Sequence, residues 1–292
     1  MSPKTNHLIP AMKITVYTPT SSLTQPGRLL QAMFHDLWRG RELAWRLVIR
    51  NVSAMYRQTI LGYLWAFLPP LAAAATFILL NHGGILSVAP TAIPYAAWTL
   101  LGSFLWQAFA DALNNPMRQV SQARGMLTKI NFPREALIMA GIGETLFNFC
   151  IRCIILVPIY FIFDLHVLWT GLTLLPLALL ALIALGTMLG IFLTPAAMLF
   201  GDVEKGVSLL LPFLMLLSGA VVPIPPTGAG HVIAQLNPIY PLLETCRDLM
   251  SGQPPHLLIP AAGVVAATVL CLFAGWILYR ISMPHLIARL GG

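Results

Sequence analysis

Charged residues are scarce in this chain of 292 residues, of which Asp, Glu, Lys and Arg make up only 9%. Soluble domains carry about 25% charged residues, so this composition excludes an ordinary water-facing surface. Four long stretches hold no charged residue at all: 58–110, 165–201, 206–243 and 249–279. Because about 20 helical residues cross the hydrocarbon layer of a bilayer, each stretch is long enough to span a membrane. The sequence therefore predicts an integral membrane protein with several spans.

Cysteines and catalytic motifs are also rare. Of the four cysteines, Cys150 and Cys153 form a C-x-x-C pair inside an apolar segment, without the further ligands that a zinc or redox site needs. The chain has no G-x-x-x-x-G-K-[ST], G-x-S-x-G or H-E-x-x-H motif, and its seven histidines are scattered. We therefore predict no catalytic residue, no metal site and no cofactor in this chain. Without a phosphate-binding loop it cannot hydrolyse ATP itself.

Glycine, proline and polar residues divide the apolar stretches into helices, which predicts an all-α polytopic membrane protein. The interruptions "NHGG", "SVAP" and "FGDVEKG" separate six transmembrane helices, near 60–80, 93–113, 136–163, 171–199, 207–223 and 257–279. The Pro- and Gly-rich stretch before the last span predicts short re-entrant helices. The predicted organisation is a disordered leader (1–27), an amphipathic interfacial helix (28–57), a transmembrane domain (58–280) with an outer re-entrant segment (223–250), and a cytoplasmic tail (281–292).

The basic residues predict which side of the membrane each loop faces. Fifteen of the 17 Lys and Arg residues fall before the first span, in the loops after the second and fourth spans, or after the last span. By the positive-inside rule these segments and both termini are cytoplasmic. The net charge of +7 then reflects membrane topology and anionic inner-leaflet lipid, so it calls for no nucleic-acid partner.

Arginines form a row along segment 28–57. Arg39, Arg46, Arg50 and Arg57 are spaced 7, 4 and 7 residues apart, which places them within about 20° of one line on a helix. Apolar side chains occupy the other faces, a pattern typical of a helix lying in the inner membrane interface. The arginines either reach only for lipid phosphate, or they attract an anionic substrate or grip a partner.

Four segments resemble polysaccharide-exporting ABC transporter permeases, the exporters of O-antigen, capsule and teichoic acid. They occur in the order of that family: "RNVSAMYRQTILGYLWAFLPPL", "MLTKINFPREAL", "LFGDVEKGVSLLLPFLMLLSG" and "LNPIYPLLETCRDLM". Asn51 stands where the family usually has Asp, and Gly201 replaces a basic residue. The resemblance implies a homodimer in a bacterial inner membrane, which moves a lipid-linked polysaccharide. It also implies a separate ATP-binding cassette ATPase that binds ATP and Mg²⁺.

The first two of these segments supply candidate site residues. The resemblance implies that substrate is received at Arg50, Tyr56, Arg57 and Gln58. The loop after the second span resembles the ATPase-coupling segment of the family, and Phe132 is expected to be an exposed plug for a groove on the partner. The alternative is a plain helix start, with Pro133 in the first turn and Glu135 favoured by the helix dipole. The candidate coupling residues are Lys129, Phe132, Pro133, Arg134 and Glu135.

Two further sets of residues lie within predicted spans. Glu144, Asn148 and Arg152 are spaced four apart on one face of the third span. Such intramembrane polar groups face another helix or a wet path, and a structural clasp is favoured over a proton relay. Tyr63 and Phe67 fall on one face of the first span, where aromatic rings suit the C–H faces of sugars. Interfacial anchoring and packing are the alternative role for these aromatic residues.

Other functions predict different residues. A lipid or drug efflux permease of the same superfamily is the nearest alternative, although such permeases often carry a large external domain. An ion-coupled secondary transporter would carry paired intramembrane carboxylates, and the third span holds only Glu144. A membrane-embedded lipid-modifying enzyme would carry clustered His, Asp or Glu at an interface. The residues favour the exporter.

Overall fold

The computed structural model describes residues 26–57, 60, 62–127, 129, 132–166, 169–225 and 227–291. Within these residues the fold is entirely helical, which confirms the predicted all-α class. The predicted disordered leader lies almost wholly outside the described residues. A 3-10 helix, Gly62–Ala66, follows the first α-helix. The α-helices are α1 Pro26–Arg57, α2 Leu68–His82, α3 Tyr95–Gln122, α4 Arg124–Leu127, α5 Glu135–Ile162, α6 Trp169–Leu199, α7 Asp202–Leu217, α8 Ala229–Leu236, α9 Ile239–Ser251 and α10 Leu258–Gly291.

Three helices in the described part of the chain are long and apolar enough to cross a membrane. They are Glu135–Ile162, Thr173–Leu199 and Leu258–Arg289, within α5, α6 and α10. They match the predicted third, fourth and sixth spans. α2 and α7 have 15 and 16 residues, which reach only about 22–24 Å against roughly 30 Å of hydrocarbon. The six-span count therefore remains a prediction.

The first predicted span is broken near its start. Residues 62–66 form the 3-10 helix, and α2 begins only at Leu68, with prolines in its first turn. Proline is tolerated there because the first backbone N–H groups of a helix have no internal partner, whereas a proline deeper in a helix would remove a hydrogen bond. The pair Pro69–Pro70 therefore starts a new helix and shortens this span.

α1 is a single helix of 32 residues that runs through Gly40 without a break. Gly40 lies against the start of α5, where an added Cβ would be 3.3 Å from the Cβ of Ala136. Further along, a Cβ on Gly143 of α5 would lie 2.8 Å from a methyl carbon of Val48. These small residues let α1 pack closely along α5. Its assignment as a membrane-interface helix remains a prediction.

α3 forms the centre of the fold and packs against α5, α6, α9, α2 and α7. Its large apolar side chains are fully or almost fully buried; they include Leu101, Phe104, Leu105 and Phe109. Burial of side chains of this size contributes about 1.5–3 kcal/mol each where it removes them from water. α3 is therefore the element against which the other helices are positioned.

Arg247 of α9 joins three elements at the end of the fold where α3 begins. Its guanidinium is 1% exposed and lies 3.6 Å from the ring centre of Trp98. It donates hydrogen bonds of 2.9 Å to the carbonyl oxygens of Gly219 and Ala220, and it pairs with Glu244 at 2.5 Å. This buried cation therefore ties the end of α7 to α3 and α9. Segment 223–250 contains two short helices, and its re-entrant position in a membrane stays a prediction.

Two helices extend beyond the predicted spans. The segment "FGDVEKG" interrupts the helices at residues 200 and 201, because α7 begins at Asp202 and carries Asp202 and Glu204 in its first turn. Acidic side chains favour that position through the helix dipole. The predicted tail from residue 281 is also helical, since α10 continues to Gly291 and buries Met283.

Candidate functional site

A row of polar side chains runs along the only face of α3 that is not buried between Leu101 and Val120. Gln107, Asp111, Asn114 and Arg118 are half-buried there, whereas every other position in that range is buried. Their spacing of 4, 3 and 4 residues places them within about 60° of one line. We call these four residues the α3 polar row. Polar groups on a buried helix of an apolar protein typically face another helix or a water-filled cavity.

The α3 polar row is held in place by bonds to its own helix and to α5. Gln107 donates to the Asp111 carboxylate at 3.0 Å, and Asn114 donates to the Ala110 carbonyl at 2.9 Å. The second carboxylate oxygen of Asp111 lies 2.8 Å from Nη1 of Arg152. This contact is an ion pair whose atoms are not aligned as a hydrogen bond. The row is therefore ordered by contacts within the chain.

The predicted stripe on α5 lies against α3. Glu144, Asn148 and Arg152 are all buried, with exposures of 1%, 6% and 4%. The Glu144 carboxylate accepts hydrogen bonds from Arg118 and, at 2.7 Å, from Gln119. Arg152 donates from Nε to the carbonyl oxygen of Ala66 at 3.0 Å, besides pairing with Asp111. These contacts join α3, α5 and the 3-10 helix, as a clasp would, and the role of the stripe stays a prediction.

The substrate-receiving residues on α1 connect to this clasp through Asn51. Arg50 is exposed and donates from Nε and Nη2 to the Asn51 side-chain oxygen, at 3.2 and 3.1 Å. The Asn51 amide donates in turn to the side-chain oxygen of Gln119 at 2.8 Å. An amide accepts and donates at once, whereas an ionised carboxylate only accepts. Asn51 therefore links Arg50 on the α1 surface to Glu144 through a chain of hydrogen bonds that passes through Gln119. An ionised Asp at position 51 could not donate the hydrogen bond to the Gln119 oxygen.

The arginine row of α1 faces outward. Arg39, Arg46, Arg50 and Arg57 are all exposed, and Arg46 pairs with Glu42 at 2.6 Å. A different face exposes Phe34, Trp38 and Trp45. α1 thus has a packed face, an apolar exposed face and a cationic exposed face. Of the other predicted receiving residues, the side chain of Tyr56 and all of Gln58 lie outside the described part of the chain.

Tyr63 and Phe67 do not share one exposed face. Tyr63 is 52% exposed, and its ring centre lies 6.5 Å from that of Phe147 on α5. Phe67 is only 8% exposed. Their predicted alignment assumed a continuous α-helix, but the 3-10 helix ends between them and α2 starts after Phe67. Phe67 is therefore a packing residue in this chain, and channel lining remains a prediction for Tyr63.

The predicted coupling segment is less exposed than expected. Lys129 is exposed, but Phe132, Pro133 and Arg134 are half-buried, and Phe132 packs against an apolar cluster that includes Leu137 and Tyr279. The expected exposed plug at Phe132 is therefore wrong for the isolated chain. Attachment of an ATPase to this segment stays a prediction.

Glu135 has a structural role, because it is buried and connects two helices. It is 4% exposed and accepts a hydrogen bond from Arg280 of α10, which also donates to Asp36 of α1 at 2.6 Å. The Tyr279 hydroxyl donates to the Arg134 carbonyl at 3.2 Å. The start of α5 is therefore fixed to both α1 and α10.

Sequence reasoning missed Asp111, Arg118 and Gln119, which supply half of the clasp. The signal was present, because polar residues recur with helical spacing at 107, 111, 114 and 118 inside and just after a predicted span. No group of three or more His, Cys, Asp or Glu side chains suited to a metal occurs within the described residues.

An all-α fold with long apolar helices and a polar face on its central helix is typical of a membrane-embedded transport subunit. Residues 42–251 match the family described as the ABC-2 type transporter, and the chain belongs to this family. It is similar to the O-antigen export system permease protein RfbA of Myxococcus xanthus, with 24% identity over 245 residues. That alignment covers 83% of this chain and 93% of the relative.

Proposed function

We propose that this chain is the permease of an ATP-driven exporter that moves a lipid-linked polysaccharide, such as an O-antigen, capsular or teichoic polymer, from the cytoplasm across the bacterial inner membrane. Membership of the ABC-2 family supports the transporter class, and the relative from Myxococcus xanthus supports the substrate class. The observation that carries the proposal is the α3 polar row, because a sugar polymer needs hydrogen-bonding groups along its path through an apolar protein.

The path would be completed by a second copy of the chain. The α3 polar row is open on the surface of one copy, and α7, which packs on α3, exposes Leu209, Leu210 and Phe213. Six spans of one chain can hardly enclose a polymer. Two copies facing each other would enclose both polar rows while covering apolar surface.

The arginine row on α1 would receive the anionic end of the substrate. A phosphate-bearing lipid carrier presents acceptor oxygens, and one guanidinium group can donate two parallel hydrogen bonds to them. Arg50 is the member of the row that also contacts the bond chain through Asn51, Gln119 and Glu144. Binding at α1 would therefore act on the helices that carry the polar path.

The energy source would be a separate ATPase that holds ATP and Mg²⁺. Its attachment is proposed at the segment before α5, through Lys129 and the neighbouring residues Phe132, Pro133 and Arg134.

Tagged chain purified in mild detergent from its own cell is expected to retain an ATP-binding cassette protein with ATP turnover. Reconstituted with that partner, it should move a lipid-linked glycan. An isolated chain with no ATPase would overturn the class, and transport of lipid or drug without glycan would favour the efflux alternative.

Removing the charge of two arginines tests the receiving surface. With Arg50→Gln and Arg57→Gln combined, we expect transport of the lipid-linked glycan to fall by about tenfold or more, because charge-assisted hydrogen bonds contribute about 1.5–3 kcal/mol each. Transport into vesicles at low substrate concentration measures the effect.

Arg41→Gln is the matched control for this surface. Arg41 is also exposed on α1, but it lies 4.2 Å from the ring centre of Trp38, away from the arginine row. We expect near-native transport from the control and an unchanged amount of bound ATPase in both variants. Equal transport in the double variant and the native chain would remove the arginine row from the substrate path.

A further inference from the structure

Arg118 is the cationic member of the α3 polar row, and its side chain is accessible. The side chain is 40% exposed, whereas the Glu144 side chain that it contacts is 1% exposed. Arg152, the guanidinium of the clasp that pairs with Asp111, is only 4% exposed. Arg118 is therefore a cation that a solute beside the α3 polar row could reach.

Only part of the Arg118 guanidinium is used inside the fold. Its Nη2 donates to the side-chain oxygen of Asn115 at 2.7 Å and to the Glu144 carboxylate. A guanidinium has five N–H donors. Within the described residues, the donors on Nε and Nη1 have no hydrogen-bond partner, and these two atoms are not buried. They are available to an acceptor that comes from outside the chain.

Arg118 and the arginine row of α1 belong to one hydrogen-bond network. Arg118 and Gln119 donate to the two oxygens of Glu144. Gln119 also accepts from Asn51, which in turn accepts from Arg50. The network contains two guanidinium groups and one buried carboxylate, so it carries a surplus positive charge. This charge is accessible at Arg50 on α1 and again at Arg118 on α3.

We propose that Arg118 binds the phosphate of the substrate after the arginine row of α1 has received it, so that α3 carries a second anion-binding position. The inference rests on the proposed function, from which it takes the lipid-linked substrate. Hydrogen bonds from a guanidinium to phosphate are charge-assisted and are among the strong ones in proteins. Two guanidinium groups on one network favour a group with more than one negative charge, such as a diphosphate, over a single carboxylate.

Glu144 distinguishes a binding role of Arg118 from a purely structural one. If Arg118 binds phosphate, removing the Glu144 charge removes a competing acceptor and a repulsive charge, so the affinity for phosphate should rise. If Arg118 serves only to hold Glu144, the same change loosens the contact between α3 and α5 and gives no reason for a higher affinity.

Binding of geranylgeranyl diphosphate to the full-length chain in detergent tests the proposal, with the uncharged alcohol geranylgeraniol as the reference for the hydrocarbon. We expect Glu144→Gln to raise the affinity for the diphosphate at least about twofold. Relative to Glu144→Gln, the double variant with Arg118→Gln should lose about tenfold or more, the effect of one lost charge-assisted hydrogen bond. The affinity for the alcohol should be equal in all variants.

Lys205→Gln is the matched control. Lys205 is an exposed cation next to Glu204, which accepts a hydrogen bond from Ser121 near the end of α3, but it lies outside the α3 polar row. This variant should bind the diphosphate as the native chain does. Inorganic diphosphate should displace the probe at a lower concentration than glucuronate. The reverse order would assign Arg118 to acidic sugars of the polymer and overturn the proposal.

Three results would contradict a phosphate site at Arg118. They are equal affinity of the native chain for the diphosphate and the alcohol, a lower diphosphate affinity in Glu144→Gln, and equal affinity in Glu144→Gln and the double variant. Glu144→Gln leaves the exposed Arg118 in place and creates no buried charge, so it tests the proposal even if the double variant fails to fold. None of these measurements uses transport, so a failure of the proposed function would appear separately, as transport of lipid or drug without glycan.

Discussion

Replacing Gly102 by Ala is expected to prevent accumulation of the folded protein. An added Cβ at this position of α3 would lie 1.9 Å from the carbonyl oxygen of Ala220 and 2.2 Å from Nη2 of Arg247. Relief of this clash would have to displace the backbone after α7 or the buried guanidinium. Overpacking costs about 1–3 kcal/mol, and a buried charge deprived of its partners costs about 3–5 kcal/mol. Together these approach the whole stability of a typical domain, about 5–15 kcal/mol.

The measurement is the amount of monodisperse protein extracted from membranes and its thermal unfolding midpoint. Gly263→Ala is the matched control, because Gly263 is also a helix residue but nothing lies within 4 Å of its added Cβ. The control should express as well as the native chain. Native-like yield and midpoint from Gly102→Ala would show that α3 and the segment after α7 do not approach each other as described.

The contacts around Gly102 show why the fold was only partly predictable. Long apolar stretches and their breakers were sufficient to predict that helices exist, and three of the six predicted spans coincide with described helices long and apolar enough to cross a membrane. The need for glycine at 102 arises from Ala220 and Arg247, which belong to distant parts of the sequence. Helical periodicity describes one helix at a time, so it cannot reveal which backbone approaches which glycine.

The candidate site was also only partly predictable from the sequence. The row at 144, 148 and 152 was predictable because four-residue spacing places side chains on one helix face. Its partners on α3 were missed although Asp111 and Arg118 also recur with helical spacing, because the spacing within one helix does not show which neighbouring helix its polar face meets. The burial of Phe67 depends on a local break into a 3-10 helix, which the apolar composition around it did not indicate.

Glu135 illustrates how a motif can combine two roles. Its place after Pro133 was correctly expected at a helix start, since α5 begins there. The ion pair with Arg280 comes from a helix far along the chain. A segment resembling a partner-binding loop thus ends in a residue that fixes the fold, which explains why only its earlier residues remain candidates for attachment.

Arg152→Met is expected to destabilise the protein severely, and Asp111→Asn is expected to rescue much of the loss. Arg152 is 4% exposed, pairs with Asp111 at 2.8 Å and donates to the Ala66 carbonyl at 3.0 Å. Removing the cation leaves the Asp111 carboxylate on α3 with Gln107 as its one hydrogen-bond partner among the described residues, and breaking a buried pair in this way costs about 3–5 kcal/mol. The Asn side chain carries no charge, so the double variant should recover about half of that loss or more.

Thermal unfolding midpoints of the native chain, both single variants and the double variant form a cycle that isolates the coupling between the two residues. Lys205→Met is the control, because Lys205 and Asp202 form an exposed ion pair at 3.4 Å, and exposed pairs contribute at most about 1 kcal/mol. A rescued but inactive double variant would assign the charged pair of Asp111 and Arg152 to transport as well as to the fold, because stability and transport would then respond separately. If Arg152→Met proved as mild as Lys205→Met, or if Asp111→Asn gave no rescue, the clasp between α3 and α5 would not hold these helices together.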